Sequence, residues 1–177
     1  MEERIFKRIH FSYIFALVIG ALFMIKNVNA ETISSDLKLT SNRTESIVVK
    51  SGSNITIDLN GFNITTTKED SIIVENGATL NLKGKGTIEA VGKGVAGLYN
   101  NGTTVIDDKN TEIYKKETNA NVDRYYAILN HGKLTINNAK VTMDTTLGKN
   151  ASSLIASGYY NFTTNTSEKI GYVSGVG

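Results

Sequence analysis

Residues 126–143 read YAILNHGKLTINNAKVTM, and their reading decides the fold. An apolar run, Ala127-Ile128-Leu129, ends at a polar pair and Gly132. An alternating run, Leu134-x-Ile136, follows, and Val141-x-Met143 closes the unit. Runs of β-branched residues bounded by Asn and Gly are the signature of short strands. Working outward, the same three parts return in SIIVENGATLNLKGKGTIEA (71–90), in AGLYNNGTTVIDDKNTEIY (96–114) and in SIVVKSGSNITIDLNGFNIT (46–65). A weaker copy is SLIASGYYNFT (153–163). Aligned on Gly52, Gly77, Gly102, Gly132 and Gly158, the units are spaced by 25, 25, 30 and 26 residues. The polar residues and Gly predict a tight turn in left-handed dihedrals. Four positions before each Gly the column is apolar throughout: Val48, Ile73, Leu98, Ile128 and Leu154.

Three short strands in 25 to 30 residues cannot bury an apolar face alone. Stacked one above another, such units make a continuous core and parallel sheets, with like residues in vertical columns. Asn-Gly between alternating runs also signals β-hairpins, so an antiparallel meander or sandwich competes. A hairpin has no need of a three-part unit at a fixed period, and sandwich strands show turn signals every 8–12 residues without aligned columns. The stacked coil is the expectation.

The chain has 177 residues, with 19 Lys+Arg against 17 Asp+Glu. Arg4, Lys7, Arg8 and Lys26 against Glu2 and Glu3 account for the whole excess, leaving 15 charges of each sign beyond residue 30. A neutral body argues against nucleic acid as a partner. There is no Cys, which removes disulfides, thiolate zinc sites and cysteine nucleophiles. Basic residues at the N-terminus precede the uncharged run Phe11–Ile25, and Val28-Asn29-Ala30 offers small residues at a cleavage site. Fifteen residues are short of the roughly 20 a membrane span needs, so a helical signal peptide over 1–30 is expected. The mature chain then has no stable membrane span. Residues 31–45 are expected to lead into and cap the first rung, and 46–177 to carry the repeats. The pattern decays after Gly158, so we expect a repeat array incomplete at its C-terminus, with an open end suited to self-association.

The segments AGLYNNGTTV and YAILNHGKLTINNAKVTM resemble the repeats of right-handed parallel β-helix proteins of the pectate-lyase-like superfamily, closest to secreted and cell-surface bacterial members of adhesin type. The resemblance runs from about Ser46 to Ser157. It implies an all-β, right-handed parallel β-helix, a solenoid of about five rungs. It leaves function open, since the superfamily contains lyases, hydrolases, fibres and adhesins.

The resemblance also says where chemistry would be sought. Pectate lyases hold calcium with acidic residues and use Arg or Lys as base. The hydrolases pair Asp residues with Gly-His-Gly and Arg-x-Lys. Asp107-Asp108 and Asn130-His131-Gly132 are superficially similar, but Arg-x-Lys and Asn-Thr-Asp are absent. His131 falls where other units carry Ser51, Asn76 and Asn101, as a turn residue would. Asp58, Lys83 and Asp108 each lie six residues after a unit Gly and are expected to stack as a solvated ionic ladder. With no Cys, and His131 alone beyond the leader, neither a zinc site nor a nucleophilic triad is expected. No catalytic, cofactor or metal residue is assigned, and no cofactor is expected.

The longest unit contains an insertion, KKETNANVDR at 115–124, read as a charge-balanced solvated excursion with ligand contact as the alternative. Tyr99, Tyr125, Tyr126, Tyr159 and Tyr160 lie near turns, where outward-facing rings would suit sugars. Asn-x-Ser/Thr triplets at Asn42, Asn54, Asn63, Asn101, Asn150, Asn161 and Asn165 follow from the composition. The expected function is a non-catalytic secreted or cell-surface β-helix protein in adhesion, ligand binding or surface structure, with a carbohydrate or host-surface ligand. The alternative is a truncated polysaccharide lyase or glycoside hydrolase of the same superfamily.

Overall fold

The computed structural model describes residues 30–92, 94–116 and 125–144, and the strands at 152–157, 159–161, 166–168 and 172–176. The expected signal peptide and residues 117–124 of the insertion lie outside the described residues. The described chain is all strand and turn. A lead-in provides β1 (Glu31–Ile33) and β2 (Leu37–Lys38). The first turn comprises β3 (Ile47–Val49), β4 (Asn54–Asp58) and β5 (Ile64–Thr66). The second comprises β6 (Ile72–Val74), β7 (Thr79–Lys83) and β8 (Gly86–Val91). The third comprises β9 (Leu98–Asn100), β10 (Thr103–Asp107) and β11 (Thr111–Lys116). The fourth comprises β12 (Tyr125–Asn130), β13 (Lys133–Asn137) and β14 (Lys140–Met143). Then come β15 (Ser152–Ser157), β16 (Tyr159–Asn161), β17 (Thr166–Glu168) and β18 (Tyr172–Val176).

Strands of one kind pair with their own kind in the next turn, always in parallel. The first sheet runs β1-β3-β6-β9-β12-β15, the second β2-β4-β7-β10-β13-β18, and the third β5-β8-β11-β14. The protein is a parallel β-solenoid of four complete turns, with a partial turn at each described end. The antiparallel reading survives only as the small β16–β17 hairpin. Alternation within each strand sends one set of side chains inward. Ile47, Ile72, Leu98 and Ile128 line the first wall, Ile57, Leu82 and Ile106 the second, and Ile64, Ile88 and Ile113 the third, all fully or almost fully buried. Ile33 and Leu39 of the lead-in close one end of this core. Arg43 bridges to Ile64 in the third wall, and its guanidinium donates to the Glu31 carboxylate.

The glycine alignment needs correction. In register, Ile47, Ile72, Leu98, Ile128 and Ile155 form the inward column. Val48 and Ile73 belong to the outer column with Tyr99, Leu129 and Ala156, and Leu154 is exposed. The physical reason is a change of corner. Residues 50–53 and 75–78 join the first and second walls in turns one and two, whereas Asn101-Gly102 and His131-Gly132 suffice in turns three and four. Gly52 and Gly77 have φ of 80° and 81°, as a left-handed turn requires. Gly132 is outside that region; a Cβ there would come within 2.0 Å of the Gly102 carbonyl oxygen, so close approach between rungs demands glycine.

The shorter corner brings polar residues inside. Asn100 replaces the Val74 position, Thr104 the Leu80 position, and both are fully buried. Asn100 Nδ2 donates to Asn130 Oδ1 at 2.7 Å and to the Lys133 carbonyl at 3.1 Å. Thr104 Oγ1 donates to Asn100 Oδ1 at 2.8 Å. These asparagines are a buried ladder.

Beyond Gly158 the described chain returns to the second wall. Tyr172–Val176 returns as β18, with Val173 in register with Leu134 of the second wall. The β16–β17 hairpin occupies the corner between β15 and β18. Against the five rungs expected, there are four complete turns, beyond which β15 and β18 extend the first and second walls.

Candidate functional site

The corner between the second and third walls is built alike in the first and third turns. Asp58 Oδ1 accepts the Asn60 N–H at 2.9 Å, and Asp108 Oδ1 accepts the Asn110 N–H at 2.9 Å. Side-chain carboxylates that cap the backbone two residues on are a standard turn device. Asp108 reaches further, its Oδ2 accepting the Gly84 N–H of the preceding turn at 3.0 Å. The Asn110 N–H foremost, with Gly84, the Asn110 side chain and Lys109 adding, holds the Asp108 carboxyl below the usual carboxylate range. Asp108 is therefore a corner residue, and the expected ladder shifts by one. Its in-register members are Asp58 and Lys83, followed by Asp107, which comes next after the Ile106–Leu82 pair. No ion pair joins Lys83 to Asp58 or Asp107 among the described residues.

These corners border an open groove of about 420 Å³ running along the solenoid axis. It draws on four turns: Asn63 from the first, Lys85 and Thr87 from the second, Lys109, Asn110 and Glu112 from the third, and Lys140 from the fourth. Counted from the paired strands β7 and β10, Lys85 is level with Lys109, and counted back from the pairing of Gly86 with Thr111 it is level with Asn110, so the two lysines occupy neighbouring corners of consecutive turns. Neighbouring parallel strands lie about 4.8 Å apart, so their stems rise one rung from each other. Glu112 is the groove's carboxylate; its Oε1 accepts the Thr142 hydroxyl at 2.6 Å, and in register it faces Lys140. The groove carries three ammonium groups against one carboxylate. Sequence reasoning missed these lysines because glycine alignment blurred the 24-residue step from Lys85 to Lys109.

The outer face of the third wall continues the groove. Thr65, Glu89, Tyr114 and Thr142 form one row along the axis, beside Thr87, Glu112 and Lys140. Thr65 Oγ1 donates to Glu89 Oε2 at 3.3 Å. Burial raises the Tyr114 phenol above its ordinary pKa, and Asp144, Glu89 and Glu112 push it further the same way.

Other residues singled out in the sequence have different places. His131 sits in the two-residue corner, as expected of a turn residue. Its ring meets Tyr99 edge-on, with centroids 5.3 Å apart, and its Nδ1 lies 3.3 Å from the Tyr99 hydroxyl. Tyr99 is half-buried on the outer face of the first wall and Tyr126 is half-buried in the same wall, and neither lines the groove. The side chains of Tyr125, Tyr159 and Tyr160 lie outside the described residues.

Lys115, expected in the solvated excursion, instead ends the inward row of β11 and is fully buried. Its ammonium donates to the carbonyls of Gly92 and Val95. Asp70 belongs to the same neighbourhood, accepting the Ala96 N–H at 2.6 Å. Burial raises the Asp70 carboxyl above its ordinary range, against the lowering pull of that N–H and of Lys115. This cluster ties the backbone of Gly92, Val95 and Ala96 to Lys115 and Asp70.

No protein-family model, curated protein or solved structure matches the chain. The parallel β-solenoid is established by the strand register itself.

Proposed function

We propose that the chain is a ligand-binding solenoid of a secreted or cell-surface protein, of the pectate-lyase-like, adhesin type, that holds its ligand without transforming it. One observation carries the reading: the corner groove presents polar side chains from four successive turns, so a long ligand can touch every rung. Amide, hydroxyl and ammonium donors set on a rigid scaffold suit the hydroxyl-rich surface of a carbohydrate. Secretion is supported by the basic start, the short apolar run and the small residues before Glu31. Expression with the native N-terminus should release or display a product that begins at Glu31; retention of the leader in a cytosolic product would overturn the localisation. The purified protein should bind glycans on an array without liberating reducing ends, and failure to bind any would overturn the binding reading.

A second reading, glycoside hydrolysis, has its own observation. Glu112 pairs in register with Thr87, and Glu89 lies two residues along the same strand. With strands about 4.8 Å apart and a two-residue rise of about 6.6 Å, the two backbones stand roughly 8 Å apart. An inverting carboxylate pair requires roughly 6.5–9.5 Å between its carboxyl groups. Release of reducing ends that stops in both Glu89→Gln and Glu112→Gln would favour this reading over adhesion.

A further inference from the structure

We infer that the corner groove takes a linear glycan carrying ester oxyanions, sulfate or phosphate, laid lengthwise along the solenoid axis. The inference rests on the binding reading above and names its ligand class. Its first support is like charge in consecutive turns. On the outer face of the second wall, Asp58, Lys83 and Asp107 alternate in sign from rung to rung. One corner further on, Lys85 and Lys109 follow each other with no charge of opposite sign in the series, and neither has an ion-pair partner among the described residues. Like charges in neighbouring turns repel each other. A ligand that brings an anion to each rung relieves that repulsion.

The second support is where the nearby acids are aimed. Asp58 and Asp108 both stand at this corner, and both point their carboxylates at backbone N–H groups. Glu112 is engaged by the Thr142 hydroxyl. The groove thus keeps an excess of ammonium over carboxylate, Lys109 having Asp108 beside it and Lys140 facing Glu112. Its cations are all lysines. A compact ammonium binds a tetrahedral oxyanion as a point charge. Asn63, Thr87 and Asn110 add amide and hydroxyl groups for sugar hydroxyls. The body beyond residue 30 is neutral, so its net charge gives no general attraction to a polyanion and the local excess in the groove must supply it.

The test measures binding of the full chain to four probes at about 50 mM and about 200 mM salt: dextran sulfate, unsulfated dextran, polygalacturonate and inorganic polyphosphate. Dextran sulfate should bind tightest and weaken with salt, as binding by charge neutralisation does. Lys85→Gln, Lys109→Gln and Lys140→Gln should each weaken it about tenfold at the lower salt. Lys83→Gln and Lys133→Gln, exposed on the second wall outside the groove, should leave it unchanged.

Equal losses in groove and control variants would overturn the site. Polygalacturonate binding as tightly as dextran sulfate would overturn the choice of ester oxyanion. Polyphosphate binding equally, with the same lysine dependence, would overturn the role of the sugar. Unsulfated dextran bound tightest, unaffected by the lysine variants, would remove the ligand class and leave the binding reading standing. No binding of any probe would remove both.

Discussion

Asp70 and Asp108 titrate in opposite senses, and the difference makes a test of their surroundings. The Asp108 carboxyl is held below the ordinary 3.8, so its contribution is present above that pH and is lost as pH falls through the folded value. The Asp70 carboxyl is raised above 3.8, so it favours the fold at low pH and that favour fades as pH rises through its folded value. Asp70→Asn, which keeps an oxygen for the Ala96 N–H, should therefore be more stable than the parent near pH 7, with the gain vanishing near pH 3. Asp108→Asn should be less stable near pH 7, with the deficit shrinking on acidification. Urea denaturation of both variants across this range gives the signs directly. Inside the solenoid, Asn100→Ala removes the Nδ2 donor to Asn130 Oδ1 and the acceptor of the buried Thr104 hydroxyl in one step. Stranding buried polar groups costs about 1–3 kcal/mol, read as a lower urea midpoint. Little of this was legible in the sequence. Asn100 and Asn130 sit beside glycines and read as turn residues, because a single chain does not reveal which side of a corner an amide faces. Lys115 read as solvated for a similar reason: charge predicts exposure until two backbone carbonyls offer themselves inside.

At the scale of the element, the strands were legible and their register was not. β-branched alternation placed all three walls, since inward and outward positions differ in hydrophobicity at period two. The glycines gave the period but not the alignment, because they serve two purposes. Gly52 allows a left-handed turn with no heavy atom within 4 Å of an added Cβ. Gly132 makes room for the rung below it. The same substitution should separate them. Gly52→Ala should cost about 1–2 kcal/mol, the strain of a left-handed alanine alone. Gly132→Ala should cost distinctly more, because the Gly102 backbone must move with it; parallel denaturant titrations of the two proteins would show the order. The groove was hidden by this double use. Lys85 and Lys109 come into neighbouring corners only when counted from the paired strands, and like charge in consecutive turns is visible in sequence only after the register is known.

For the whole molecule, each turn meets only its neighbours, and stability should add turn by turn. Ile88→Ala in the middle of the third wall removes a fully buried side chain and should cost about 2–5 kcal/mol. Amide exchange should then rise most in the first, second and third turns and least in the lead-in around Glu31–Ile33. Uniform loss of protection along the chain would contradict this nearest-neighbour behaviour. The register that defines the stack has a mechanical meaning as well. Hydrogen bonds between rungs point along the axis, so tension between the two ends loads the rungs in series. They should peel away in succession at low force instead of shearing together. Each released rung, such as the 25 residues from Ile47 to Ile72, would let out roughly 80–90 Å of chain. For a solenoid that holds a ligand as proposed above, the chain would lengthen in steps under load before the contacts in the groove were strained.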